Sequence, residues 1–329
     1  MSPLIIHSAR DAIAAVPYML GFHPSRSIVV IGYDGPPNTC AVRLDLPVPD
    51  EAAGQAAGML AANGFRRALL LGYGGPEEAG AAAVALRAAL AAAGVDTTEA
   101  IRVDEQRWWS LTCDDACCPA EGVPYDISGS LVAAQATFAG HVVLADRDEL
   151  VRSVQPVPDT PALRAATDRA EKRFLARARE PSDRFHSQAT EEGVAFVASV
   201  RDGPTGDLTD DDVAWLGVLL TDRRVRDEAW VRIDEDSPAD DIRFWRDVAR
   251  RVRDPYAAGP AALLAYAAYA GGDGGLANIA IDRALDADPD YSMAVLLRQV
   301  ITSGIPPSKA RMRMTPRQLA AAYDEKEAG

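Results

Sequence analysis

Short apolar runs and longer segments of helical length alternate along the first half of the chain. Residues 27–33 (SIVVIGY) and 39–46 (TCAVRLDL) read as strands flanking the turn-rich 34–38 segment, DGPPN. A helix over about 50–63 leads into an apolar strand at 68–73. Pro76 with Glu77 and Glu78 then opens a helix that ends at Gly94, since proline at the first position and acids in the first turn suit a helix start. Residues 99–103 read as the next strand. This rhythm predicts an α/β N-terminal domain, a mixed sheet with helices in which some strands pair in parallel.

From residue 161 onward the period becomes helical, with segments near 162–179, 187–201, 210–222, 239–252, 260–270, 275–287, 291–303 and 315–325. Thr209 ahead of Asp210, Asp211 and Asp212 reads as an N-cap followed by an acidic first turn. Trp215, Trp230 and Trp245 fall in successive helical segments and read as core anchors. The proline-rich 155–161 segment separates a domain at 1–155 from one at 161–329. Within 259–304, Leu264, Ala265, Ala268, Gly272, Ala277, Ile281, Ala284 and Pro289 match the spacing of one tetratricopeptide repeat. No second copy is legible upstream. The expectation is therefore an all-α C-terminal domain with a tetratricopeptide-like helical hairpin, not a solenoid.

Composition narrows the function classes. The 329 residues suit two domains, and 48% hydrophobic with 25% charged residues is ordinary for a soluble globular protein. A net charge of −14 argues against a free-standing nucleic-acid binder, which needs a basic face. Only Lys172, Lys309 and Lys326 are lysines, and so strong an arginine bias looks like GC-rich codon usage, so it says nothing about phosphate or carboxylate recognition. The N-terminus lacks a basic segment ahead of an apolar one, and no uncharged apolar span reaches membrane length, so a cytoplasmic protein with reduced cysteines and no membrane contact is expected.

The segment with the most chemistry is 107–125, where Cys113, Cys117 and Cys118 lie within six residues beside Trp108 and Trp109. Between two strand-like runs, as at a hairpin tip, such thiolates can converge on zinc or an iron–sulfur cluster, with His23 in the loop Gly21-Phe22-His23-Pro24 as the candidate fourth ligand. Three other readings stand beside it. Reactive thiols are opposed by Asp114 and Asp115; a disulfide from Cys113 to Cys117 or Cys118 needs an oxidising setting; and the cysteines can be small buried apolar residues. The segment Gly72-Tyr73-Gly74-Gly75-Pro76-Glu77 imitates a dinucleotide loop, but the third glycine is missing and Pro76, Glu77 and Glu78 oppose a pyrophosphate. His7, His141 and His186 are isolated. Val225-Arg226-Asp227-Glu228-Ala229-Trp230 reads as helix-surface ion pairing, with an internal network as the alternative. Arg298, Lys309, Arg311, Arg313 and Arg317 form a local basic segment for an acidic partner or, with no outside molecule needed, for the protein's own acidic face.

Several blocks together resemble the actinobacterial domain-of-unknown-function family 4192. They are residues 15–24 (AVPYMLGFHP), the 113–122 segment, 212–216 (DVAWL), 225–230 (VRDEAW) and 284–294 (ALDADPDYSMA), within a likeness running from about 4 to 320. The resemblance implies a cytoplasmic protein of a GC-rich actinobacterium and carries no activity, substrate or catalytic residue with it. Two functional expectations follow. The first is a non-catalytic interaction or regulatory protein that contacts a protein partner through its helical domain. The second is a metal- or thiol-dependent enzyme or small-ligand-binding protein using Cys113, Cys117 and Cys118, with His23.

Overall fold

The computed structural model describes residues 8–35, 39–113, 118–138, 142–178, 185–202 and 208–327. It divides into two compact units, residues 1–150 with 302–305, and residues 151–301 with 306–329.

The first unit opens with α1 (Ala9–Leu20). Ser8 caps it by accepting the Asp11 N–H at 3.2 Å, and Gly21 ends it in the left-handed region at φ 80°. Then come β1 (Ser27–Tyr33), β2 (Cys40–Asp45), α2 (Asp50–Ala62), β3 (Arg67–Tyr73), α3 (Pro76–Ala92), β4 (Asp96–Asp104), β5 (Arg107–Ser110), β6 (Val123–Pro124), α4 (Leu131–Phe138) and, at the end of the unit, α5 (Arg147–Arg152). Among the described residues the strands form one six-stranded mixed sheet in the order β2-β1-β3-β4-β5-β6. The parallel pair is β3 with β4, linked through α3, and the other neighbours run antiparallel. Glu105 (φ 44°) and Gln106 (φ 61°) supply two consecutive left-handed residues between β4 and β5, the signature of a two-residue turn matched to strand twist.

Side chains alternate across this sheet, and both faces are buried. Ile28, Val30, Leu70 and Ala100 pack with Ala53, Ala57 and Leu60 of α2 and with Ala79, Ala83, Leu86 and Leu90 of α3. Gly72 lets α3 come close, since a Cβ there would lie 3.0 Å from that of Ala79. Val29, Ile31, Leu71, Ile101 and Val103 on the opposite face are buried as well. α1 and α4 join through Ala14, Ala15 and Val132. Strand β2 is an edge of the sheet, and it carries Arg43 turned inward: the side chain is 14% exposed, bonds Asp45 at 2.6 Å and lies 5.7 Å from the centre of the Phe22 ring.

Helices make up the described secondary structure of the second unit. They are α6 (Pro161–Ala178), α7 (Phe185–Asp202), α8 (Asp210–Leu219), α9 (Arg223–Val231), α10 (Ala239–Arg251), α11 (Ala258–Ala270), α12 (Gly274–Ala287), α13 (Ser292–Thr302), which runs into the 302–305 segment, and α14 (Pro316–Glu327), with a 3₁₀ turn at Pro307–Lys309. Thr209 starts α8 with a full capping box: its hydroxyl accepts the Asp212 N–H and Asp212 accepts the Thr209 N–H in return. α11 is buried from Ala258 through Tyr269, so it has no solvent face and serves as the axis of the unit. It turns through Gly271, Gly272 and Asp273 into α12, which packs against it. Trp215 and Trp245 are buried, while Trp230 is half-buried with its ring edge-on to Tyr266 at 5.2 Å.

The 225–230 stretch is not a surface of exposed ion pairs, because it lies on α9 with Arg226 and Glu228 buried. Glu228, 2% exposed, bridges Arg224 at 2.8 Å and Arg232 at 2.7 Å. Asp227 bonds Arg226 and accepts the Tyr323 hydroxyl at 2.6 Å. Burial of such charges requires this pairing. No helix among the described residues is long and apolar enough to cross a membrane.

Candidate functional site

The candidate site is the connection between β5 and β6, where the sequence concentrates thiols and indoles. Its two ends are tied down by side chains of β5. The Arg107 guanidinium donates to the carbonyls of Glu121 (3.0 Å) and Gly122 (2.8 Å), and the Trp109 indole N–H donates to Ala120 O at 3.0 Å. Ser110 Oγ accepts the N–H groups of Thr112 (3.2 Å) and Cys113 (3.1 Å). Gly122 sits at φ 78° against Trp109, where a Cβ would fall 2.4 Å from the ring. Only glycine combines that backbone with that approach.

The β4–β5 register sets Arg102 opposite Trp109. The guanidinium carbon lies 3.5 Å from the ring centre, within cation–π range, and Nη1 bonds Asp104 at 3.0 Å and the Gly74 carbonyl at 3.4 Å. A charge so buried is balanced by Asp104, which holds the guanidinium against the ring. Nearby strand ends hold two further groups that composition did not single out. Ser27 and Tyr73 face each other across β1 and β3, and Ser27 Oγ and the Tyr73 hydroxyl are buried with no hydrogen-bond partner among the described residues. Burial, and secondarily Tyr125, push the Tyr73 hydroxyl far above its ordinary range, so it stays protonated. Burial, and secondarily Asp104, raise Tyr125 as well. An arginine inside the apolar strand Ile101-Arg102-Val103 was the available signal for this end of the sheet.

Cys113 and Cys118 are half-buried in the pinned loop, and Cys117 lies outside the described residues, as do His7 and His141. His23 is exposed before β1, its N–H bonded to Leu144 O at 3.1 Å. Register carries the start of β1 level with Tyr73 and, through β4, with Val103 and Trp108. β5 leaves in the other direction, with Ser110 opposite Ile101 and the Leu111 N–H on Ala100 O. The sheet therefore directs His23 and Cys113 toward opposite ends. Among the described residues no three His, Cys, Asp or Glu side chains converge as a metal ion would require. The fourth cysteine, Cys40 on β2, is pushed up to about 11 by burial, which keeps it a neutral thiol.

No curated protein and no solved structure matches the chain. A family model does, that of a domain of unknown function (DUF4192), and it matches residues 10–308. The match takes in the sheet, the cysteine-bearing connection and the helices through α13. The chain belongs to the DUF4192 family.

Proposed function

We propose that this chain is a non-catalytic interaction or regulatory protein of the cytoplasm, and that its helical unit binds a protein partner. The observation that carries this reading is the α11–α12 hairpin. Its residues Leu264, Ala265, Ala268, Ala277, Ile281 and Ala284 have tetratricopeptide spacing and are all buried. Small residues at those positions let two helices approach closely, the arrangement from which repeat proteins build recognition surfaces. A net charge of −14 favours a protein over a nucleic acid as the partner.

Affinity capture with the full chain tests the reading, run beside a variant altered at exposed positions of α12 and α13, Asp282→Arg, Asp286→Arg and Leu296→Glu. A partner held by the wild type and lost by the variant is the expected result. Retention of the same proteins by both would overturn it.

A second reading rests on the way Ser110 holds the Thr112 and Cys113 amides, which fixes a thiol-bearing loop. In it, Cys113, Cys117 and Cys118 hold zinc or iron, or one of them acts as a nucleophile. Anaerobic purification followed by elemental analysis and thiol titration tests this. About one equivalent of metal with protected thiols supports a bound ion, whereas metal-free protein with freely titrating thiols removes it.

A further inference from the structure

The segment 310–315, between the 3₁₀ turn and α14, has no regular secondary structure, holds Arg313 in the left-handed region at φ 45°, and meets Tyr266 of α11 at Met312. Glu235, in the α9–α10 turn, accepts the Met312 N–H at 2.8 Å and also the Tyr266 O–H. The Tyr266 oxygen lies 3.2 Å from the same Met312 nitrogen. Asp236 pairs with the Arg311 guanidinium at 2.7 Å. Carboxylates at 235 and 236 thus read a backbone N–H and a neighbouring cationic side chain, while Trp230 backs the tyrosine edge-on. Exposure alternates along the segment, with Arg311 and Arg313 exposed and Met312 and Met314 half-buried.

Two observations mark this segment as a replaceable occupant. Its ion pair is solvent-exposed, with Arg311 at 37% and Asp236 at 81% exposure, so that contact is weak. Glu235, Asp236 and Tyr266 also fall inside the family match at 10–308, whereas residues 310–315 fall outside it.

We propose that the Glu235–Asp236–Tyr266 cluster is a binding site for a non-helical basic peptide with arginine followed by an apolar residue, and that residues 310–315 occupy it in cis until a partner's segment displaces them. This rests on the interaction reading above and names the chemistry of the partner. An occupant in cis multiplies the apparent affinity for a competitor by the fraction of time the cluster is free.

The test uses the full chain and a labelled peptide with the sequence of residues 307–316. In Arg311→Glu the chain's own segment is weakened, and the peptide should bind on the order of tenfold more tightly than to wild type. Hydrogen exchange at Met312 should rise while α11 keeps its protection. Adding Asp236→Arg to that variant, or Glu235→Gln, should abolish the gain, and Arg313→Glu should leave binding as in wild type. Equal peptide binding by wild type and Arg311→Glu would overturn the proposal, and so would loss of α11 protection in Arg311→Glu, which would make the segment a structural brace. Partner capture through α12 and α13 without peptide binding would remove this inference alone. Peptide binding without such capture would remove only the assignment to that face.

Discussion

The Arg102 guanidinium stands 3.5 Å from the centre of the Trp109 ring, and Gly122 packs against the same indole at a distance no side chain permits. The two strands meet there through a turn built on Glu105 and Gln106. The two ends of the cysteine-bearing connection are therefore positioned by side chains of β4 and β5.

Gly122→Ala should destabilise the first unit by about 2–4 kcal/mol, combining a left-handed backbone with an overpacked indole. Denaturant unfolding followed by tryptophan fluorescence measures it. Pairing the change with Trp109→Leu should recover part of the loss, because the steric share of the penalty goes with the ring.

Glu228→Ala removes the buried counter-charge that Arg224 and Arg232 share, while Arg232 keeps its exposed partner Asp202. A cost of about 3–5 kcal/mol is expected, with little relief from added salt. Asp240→Ala, which removes an exposed pair whose partners Arg243 and Asp240 are 75% and 78% exposed, should cost less than about 1 kcal/mol. Chemical melts of the two variants at low and high ionic strength compare these outcomes.

Cys40 supplies the pH prediction. Its folded value of about 11 exceeds the ordinary 9.0, so the native state holds the proton more tightly than the unfolded chain. Stability from this group is fully present below pH 9.0 and declines as pH rises through about 11. Cys40→Ser should flatten stability over that alkaline window. Alkylation mapped by mass spectrometry at neutral pH should leave Cys40 largely unmodified in native protein and label it on unfolding.

Thr209→Ala removes one side of the capping box at α8 and should cost about 1 kcal/mol, while Thr209→Ser should be nearly neutral. Thermal unfolding of the three chains tests the ordering.

Local signals in the sequence account for much of this fold. The apolar runs at 27–33 and 68–73 correspond to β1 and β3, and Pro76 with Glu77 and Glu78 marks the start of α3. Thr209 and its aspartates mark the start of α8. Other elements depend on partners distant in sequence. α1 carries Pro17 in its interior, which reads as a breaker until Ser8 and Gly21 are seen capping the two ends. α9 is too polar to announce a buried face, since Arg226 and Glu228 are buried only because Asp227, Arg224 and Arg232 neutralise them. Arg102 and Trp109 are seven positions apart, and their stacking depends on which residues form the turn between them. Likewise, a loop histidine and a loop cysteine look equally free to meet until register sends them toward opposite ends of a sheet.

The inward arginine of β2 bears on how this chain behaves at high concentration. An edge strand exposes a row of amide and carbonyl groups on which another chain can template a ribbon. Arg43 sits in that strand committed to Phe22 and Asp45. A second copy aligning along β2 would have to accommodate that cation or pull it from the ring, which disfavours edge-to-edge fibre growth. Arg43→Val, with its strand-forming side chain and no charge, converts the same edge into a seed for aggregation.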